Sequence, residues 1–248
     1  MIDIHAHILP GVDDGSESMA MSLGMLRLSA ECGVTDIAAT PHCNIPGEYE
    51  NYVTPELGAA FRRLCEEVKR AGIPVNLIRG MEVYVTEEVP ELIRRRQVWT
   101  LNDTNYLLVE FAFDEDPYFC LRMLHRIREL GIRPVIAHPE RYFFVQDDPA
   151  IAYDWCTSGY ALQLNKGSLL GSFGPGPERT ARLLVEHGLC AMVASDAHSD
   201  YRRTPHMGEV RRFLESEFGR EFSELLLEIN PRRILQGQGL LGYEPIPF

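Results

Sequence analysis

Hydrophobic and polar positions along the chain follow two periods. Short apolar runs recur between longer stretches in which apolar side chains return every three or four positions, the marks of buried strands and amphipathic helices. The runs are residues 2–7, 34–40, 75–83, 106–111, 134–137, 160–164 and 190–194. After the first, Met19, Leu23, Leu26 and Ala30 step by four, three and four, which predicts a helix with those residues inward. Residues 56–71 predict another, with Leu57, Phe61, Leu64 and Val68 on one face. Further helices are expected over residues 117–130 and from near Pro177, a residue suited to a first turn. Gly72, Gly131 and Gly188 each end a helical stretch just before a strand. Seven strands mostly separated by helices predict a parallel sheet. A closed or nearly closed (β/α)7 barrel is the first expectation and an open doubly wound sheet the second. No repeat or linker interrupts the pattern, so residues 1–248 are read as one domain, with 239–248 as a surface extension able to place Tyr243 on the barrel or a neighbour.

Composition changes this picture little. A length of 248 residues suits a single α/β barrel, and 45% hydrophobic content is ample for its core. No run of ~18 apolar residues is present, and Met-Ile-Asp-Ile-His does not begin a leader, so a cytoplasmic location is expected. A formal charge of −12 argues against a basic nucleic-acid groove. An acidic protein that handles phosphate needs local positive charge, which metal ions could supply. The six cysteines form no Cys-x-x-Cys pair and sit in or beside apolar segments, as reduced, mostly buried thiols do.

Candidate chemistry gathers where strands end. His5-Ala6-His7, Thr40-Pro41-His42, Gly80-Met81-Glu82, Glu110, His138-Pro139-Glu140-Arg141 and Ser195-Asp196-Ala197-His198 would share one rim of a parallel barrel. Residues two apart on a strand face the same way, so His5 with His7, and Asp196 with His198, could each reach one ion. The loop Pro10-Gly11-Val12-Asp13-Asp14-Gly15 can fold the Asp14 carboxylate over that rim. Five histidines and four carboxylates without a thiolate are too many for one ion and suit two or three divalent metals; manganese, iron and zinc all fit. A rival nucleophile, Cys120 with five residues between it and Arg126, has the spacing of cysteine phosphatases. The intervening residues contain no glycine and are helix-forming, so no phosphate cradle is expected. His125 and His187 read as ordinary helix residues.

The strings His-Ala-His-Ile-Leu-Pro-Gly-Val-Asp-Asp-Gly, Thr-Pro-His, Gly-Met-Glu, His-Pro-Glu-Arg and Ser-Asp-Ala-His, in this order from Met1 to about residue 237, resemble the bacterial capsule-type protein-tyrosine phosphatases of the polymerase-and-histidinol-phosphatase superfamily. The resemblance implies a distorted (β/α)7 TIM-like barrel with a trinuclear centre, manganese first among the metals. It also implies activity on tyrosine kinases that govern exopolysaccharide synthesis, the phosphotyrosine lying on the kinase's C-terminal tail. It would put His5, His7, Glu82 and Asp196 on one ion, Glu82 bridging to a second held by Glu110 and His138, and Asp14, His42 and His198 on the third. Arg141 matches the family's arginine after His-Pro-Glu. Arg203 matches a second, with Arg202 competing for that role, and Ser199 replaces a frequent asparagine. A hydroxide bridging two metals would attack phosphorus in line, with Arg141 and Arg203 on the phosphoryl oxygens. Phenolate leaves with little need of a general acid; His206 and His42 are the nearest candidates. The rivals are a phosphatase or phosphodiesterase acting on histidinol phosphate or a nucleotide, and a non-catalytic metal protein that binds a kinase tail. The oligomeric state, homo-oligomers included, is not readable.

Overall fold

The computed structural model describes residues 1–242 and 244–248, so the expected role of Tyr243 lies outside the described residues. Among the described residues there are nine short strands: β1 (Ile2–Ala6), β2 (Asp36–Ala39), β3 (His42–Cys43), β4 (Asn76–Arg79), β5 (Glu82–Tyr84), β6 (Tyr106–Glu110), β7 (Arg133–Ala137), β8 (Ala161–Asn165) and β9 (Met192–Ala194). All pairings between them are parallel. Regular ladders fall into two sheets, β1-β2-β4 and β3-β5-β6-β7-β8-β9. The expected strand over residues 75–83 is therefore split in two, and the one over 34–40 is followed, past its expected end, by a further short strand. Pro41 has no N–H for the ladder and separates β2 from β3, and Gly80-Met81 separates β4 from β5.

Two seams join the sheets into a ring. At one, β2 and β4 run on into β3 and β5, with the Glu82 N–H donating to the Pro41 carbonyl at 3.1 Å. At the other, the Asp196 N–H donates to His5 O at 2.9 Å, the His7 N–H donates to Ala197 O at 2.8 Å, and Ala6 bridges Ala197 in parallel. The result is a distorted (β/α)7 barrel, as expected, with β9 beside β1.

Alternation along the strands makes two cores. Leu107 and Val109 face the helices, whereas Tyr106 and Leu108 join Ile2, Ile4, Val135, Ala161 and Met192 inside the barrel. Continuing that inward face, Glu110 reaches the rim. Helices Pro55–Arg70 and Pro117–Arg128 begin on side-chain caps: Thr54 Oγ1 accepts from Leu57 N (3.2 Å) and Asp116 Oδ1 from Tyr118 N (3.0 Å). Helix Met19–Glu31 forms where expected: Met19, Leu23, Leu26 and Ala30 pack against the core, and the fully buried positions extend that face to Ser22, Met25 and Ser29. Ser22 can be buried because its hydroxyl pairs with that of Ser16 at 2.8 Å. The C-terminal extension lies on the barrel: Ile246 N donates to His187 O (2.9 Å) and the Phe248 ring stacks on His187. His187 thus follows helix Pro175–Glu186 rather than lying within it.

Candidate metal centre

Each strand delivers its polar residue to the same rim. Tyr142, fully buried, ties two of the ends together: its hydroxyl donates to Ala137 O (2.8 Å) and accepts from Phe111 N (3.2 Å), fixing the strands that lead to His138 and Glu110. His138, Asp196 and Arg203 hold left-handed backbone conformations (φ of 36°, 49° and 51°), a strain that clusters at functional sites.

Within the rim, Glu82 is the hub. Its buried Oε2 lies 3.1 Å from the Nε2 atoms of both His5 and His7 and 3.2 Å from His42 Nδ1, yet has no hydrogen-bond partner. Its Oε1 is 2.9 Å from His138 Nε2. His42 Nδ1 and Glu110 Oε1 are 2.9 Å apart, and both also lack an aligned hydrogen bond. Asp196 Oδ1 stands 3.6 Å from His5 and 3.5 Å from His7, and Asp14 Oδ1 stands 3.6 Å from His42 and 3.5 Å from His198.

The outer ring nitrogens explain the orphaned atoms. His5 Nδ1 faces Gln163 Oε1 and His7 Nδ1 faces Asp13 Oδ2, each at 2.8 Å. Those acceptors require N–H on the outer side, which leaves unprotonated lone pairs on the two Nε2 atoms, 3.2 Å apart and facing one another. Lone pairs cannot share that space without a positive charge between them. A proton or a cation must be there, and a divalent ion meets the nitrogen and carboxylate donors together.

The electrostatics agree. Burial would lower His42, but Glu82 and Glu110 outweigh it and raise its pKa to about 9. Burial likewise opposes the charged forms of His5 and His7, yet Glu82 with Asp196, and Asp13, hold them above the usual imidazole range. Glu82 and Asp196 are held well below the carboxylate range by the histidines around them, despite burial. Asp14 falls to about 2, burial again being outweighed by His198, His7 and His42.

All nine ligand candidates converge. Donor atoms of His5, His7 and Asp196 form one group, those of His42, Glu82 and Glu110 a second, and those of His7, Asp14, His42 and His198 a third, with mutual distances within 4.8 Å in each. His138 stands at the margin of the second group, hydrogen-bonded to Glu82.

A cleft of about 370 Å³ opens over these residues, lined also by Tyr84, Phe111, Phe113, Arg141 and Arg203. Arg203 forms an ion pair with Asp196 Oδ2 at 2.6 Å, and Arg141 donates to the same oxygen at 3.4 Å. Of the neighbouring arginines, Arg202 is exposed and Arg203 lines the cleft. His206 does not line the cleft. Residues that motif reading did not assign include Asp13, Gln163 and Asn165, whose Nδ2 donates to Asp196 Oδ2 at 2.5 Å. Glu140 of His-Pro-Glu-Arg is buried behind the rim, accepting from Asn165 N (2.9 Å) and Ser168 Oγ (2.6 Å). A larger cavity, about 710 Å³, opens at the opposite end beside Tyr106, Arg133 and residues 239–242, away from these donors.

Cys120 is fully buried within helix Pro117–Arg128, and burial pushes its thiol far up, so the cysteine spacing carries no nucleophile. The six cysteines are free, and Cys43, Cys120 and Cys190 are buried. No helix among the described residues is long and apolar enough to cross a membrane.

A ring of broken parallel strands with histidines and carboxylates on its carboxyl rim defines the chain as a hydrolase-type metal barrel. Residues 1–236 match the family model described as capsular polysaccharide synthesis, CpsB/CapC, and the chain belongs to that family. It is 38% identical over 247 residues to the tyrosine-protein phosphatase YwqE of Bacillus subtilis, covering 100% of this chain and 96% of YwqE. It is 32% identical over 245 residues to the tyrosine-protein phosphatase CpsB of Streptococcus pneumoniae, covering 96% and 99%. A solved structure from work on YwqE of Bacillus subtilis and CpsB of Streptococcus pneumoniae, described as metal-dependent tyrosine phosphatases, superposes with a TM-score of 0.93 at 37% identity, covering 100% of this chain and 99% of that one. Histidinol phosphate phosphatase of Lactococcus lactis shares the fold at a TM-score of 0.58 and 12% identity, over 87% and 94% of the two chains.

Proposed function

We propose that this chain is a metal-dependent protein-tyrosine phosphatase acting on the C-terminal tail of a bacterial tyrosine kinase that controls capsular or exopolysaccharide synthesis, in the cytoplasm. The observation that carries the reading is Glu82 Oε2, buried, unpaired and within 3.2 Å of three imidazole nitrogens, at the floor of a cleft that also holds two arginines. His5, His7, Asp14, His42, Glu82, Glu110, His138, Asp196 and His198 are the proposed ligands, for two or three divalent ions with manganese first.

When bound, the ions supply Lewis acidity and lower the pKa of water from 15.7 toward ~7. The chain's own residues do the rest. Gln163 and Asp13 keep His5 and His7 in the tautomer that turns Nε2 inward. Arg141 and Arg203 offer guanidinium donors to the non-bridging phosphoryl oxygens, exchanging part of their contact with Asp196 for substrate. Tyr84, Phe111 and Phe113 give the phenyl ring of phosphotyrosine an apolar wall. Phenolate, of pKa ~10, leaves without a dedicated acid. The resemblance to histidinol phosphate phosphatase supports the fold alone at 12% identity.

The test is metal content together with turnover of a phosphotyrosyl peptide and of histidinol phosphate, for wild type and His138→Ala. Two or more ions per chain, metal-restored activity on the peptide, and a fall in His138→Ala beyond the ~10–100-fold typical of an outer-shell loss are expected. Bound metal with turnover of histidinol phosphate alone would move the assignment to a small-molecule phosphatase. Activity that survives chelation would end the metal reading.

A further inference from the structure

One aromatic ring serves both arginines of the cleft. The Arg141 Cζ lies 4.6 Å from the Phe113 ring centroid and 4.7 Å from that of Phe173, and the Arg203 Cζ lies 5.5 Å from the same Phe173 ring. Arg203 Nε is buried and has no hydrogen-bond partner. The same guanidinium lies over the Phe173 ring face, whose quadrupole attracts it. Two like charges therefore meet over one quadrupole and one carboxylate oxygen, Asp196 Oδ2.

Phe173 is itself held from below. It lies between helices Lys166–Leu169 and Pro175–Glu186, in a turn closed by Ser172 N donating to Gly167 O at 2.7 Å. A Cβ on Gly167 would sit 2.7 Å from Phe173 Cε2 and 3.0 Å from Cζ, so the ring rests directly on the backbone there. The neighbouring residues support the same corner. Asn165 holds Asp196 Oδ2, and Lys166 Nζ donates to the carbonyls of Thr204 and His206, just after Arg203. The end of β8 is thus a ledge whose three successive residues steady the carboxylate, the loop of Arg203, and the ring between the arginines.

We propose that Phe173, seated on Gly167, is a positioning residue that sets the Arg141 and Arg203 guanidiniums for the phosphoryl group; this rests on the phosphatase reading above. An arginine side chain carries about 2 kcal/mol of rotamer entropy, and preorganising its fork reduces the loss on binding. With the ring gone, both guanidiniums are free to turn onto Asp196 and away from substrate. An apolar side chain of similar bulk fills the space but offers no π face, and this separates the proposal from a purely packing role.

The experiment uses the full chain, manganese-loaded for kinetics and loaded with diamagnetic zinc for NMR, comparing wild type with Phe173→Leu, Phe173→Tyr and Gly167→Ala. Phe173→Leu should raise KM for a phosphotyrosyl peptide and weaken inhibition by inorganic phosphate by about 3- to 30-fold, the worth of a cation–π contact, at unchanged metal content. Phe173→Tyr should restore both, and Gly167→Ala should resemble Phe173→Leu. Arginine Nε–Hε resonances, read by NMR with and without inorganic phosphate, should lose their ring-current shifts in Phe173→Leu and keep them in Phe173→Tyr. The proposal is overturned if Phe173→Leu keeps wild-type phosphate inhibition and resonance positions. It is equally overturned if metal content and thermal stability fall in step with activity and tyrosine gives no rescue. A wild type that turns over no phosphotyrosine while its arginine resonances still depend on Phe173 would refute the substrate and leave the positioning role standing.

Discussion

Asp13 does more with one carboxylate than the motif around it announces. Its Oδ2 accepts from His7 Nδ1 at 2.8 Å and from the His42 backbone N–H at 2.9 Å, and its Oδ1 accepts from Gly15 N at 3.0 Å. Burial opposes its ionised form, but His7 holds its pKa below the usual range. One side chain thus sets the tautomer of one proposed ligand, the backbone of a second, and the loop that brings Asp14 over the rim. Asp13→Ala should leave the barrel folded and lower metal affinity and kcat/KM by ~10–100-fold, as loss of an outer-shell partner of a metal histidine does. Calorimetric metal titration beside steady-state kinetics checks this; wild-type affinity in the mutant would show that His7 needs no such orientation.

At the scale of elements, the loop between β1 and helix Met19–Glu31 packs tightly on the strand it leaves. Ser16 N donates to His7 O at 3.0 Å, and a Cβ on Gly15 would lie 2.3 Å from both the His7 Cβ and its carbonyl oxygen. Neither neighbour can yield, because one is backbone and the other belongs to a proposed ligand. Gly15→Ala should therefore displace the loop, with Asp14 losing its place near His42 and His198. We expect loss of at least one bound ion by elemental analysis, with far-ultraviolet circular dichroism unchanged; full occupancy would refute the account. The strands were legible in the sequence because parallel strands buried on both faces make unbroken apolar runs. The convergence of the proposed ligands was legible because strand ends read as motifs. Less visible were features that depend on partners far along the chain. Ser22 and Ser29 are buried through hydrogen bonds that hydrophobic periodicity does not register. Pro41 lay inside a quoted motif, yet its break of the β2 line shows only in the ladder. Gln163 and Phe173 have local surroundings like any core strand or loop, and only the folded chain puts them behind His5 and under Arg141. The helices over residues 208–235 were not read as elements at all; they include a π-helical turn, Leu225–Ile229, whose five-residue hydrogen bonding departs from the 3.6-residue template.

For the whole molecule, proton and metal compete for the same buried lone pairs, and the competition ties stability to pH. Without metal, His42 has a folded pKa of about 9, against ~6.5 when unfolded. A raised folded pKa means that its contribution is full below ~6.5 and is lost as pH rises through about 9. The carboxylates act elsewhere on the scale. Glu82, Asp196 and Asp14 are depressed, so their contribution is present above the ordinary carboxylate range and constant across this window. The metal-free protein should then lose stability between pH ~6.5 and ~9 through His42, with His5 and His7 adding in the same direction. Metal needs the imidazoles neutral, so each proton displaced on binding makes affinity rise with pH, by about 1.4 kcal/mol per unit. Loading to a hundred times Kd adds ~2.7 kcal/mol to stability by mass action. The gap in Tm between manganese-loaded and chelated protein should accordingly widen from pH ~6.5 to ~9, the chelated curve falling while the loaded one holds. Differential scanning calorimetry of both forms across that range decides it. A gap that stays constant or narrows would mean that the histidines carry no protons for the metal to displace, and that something other than a proton separates the facing nitrogens of His5 and His7 in the metal-free protein.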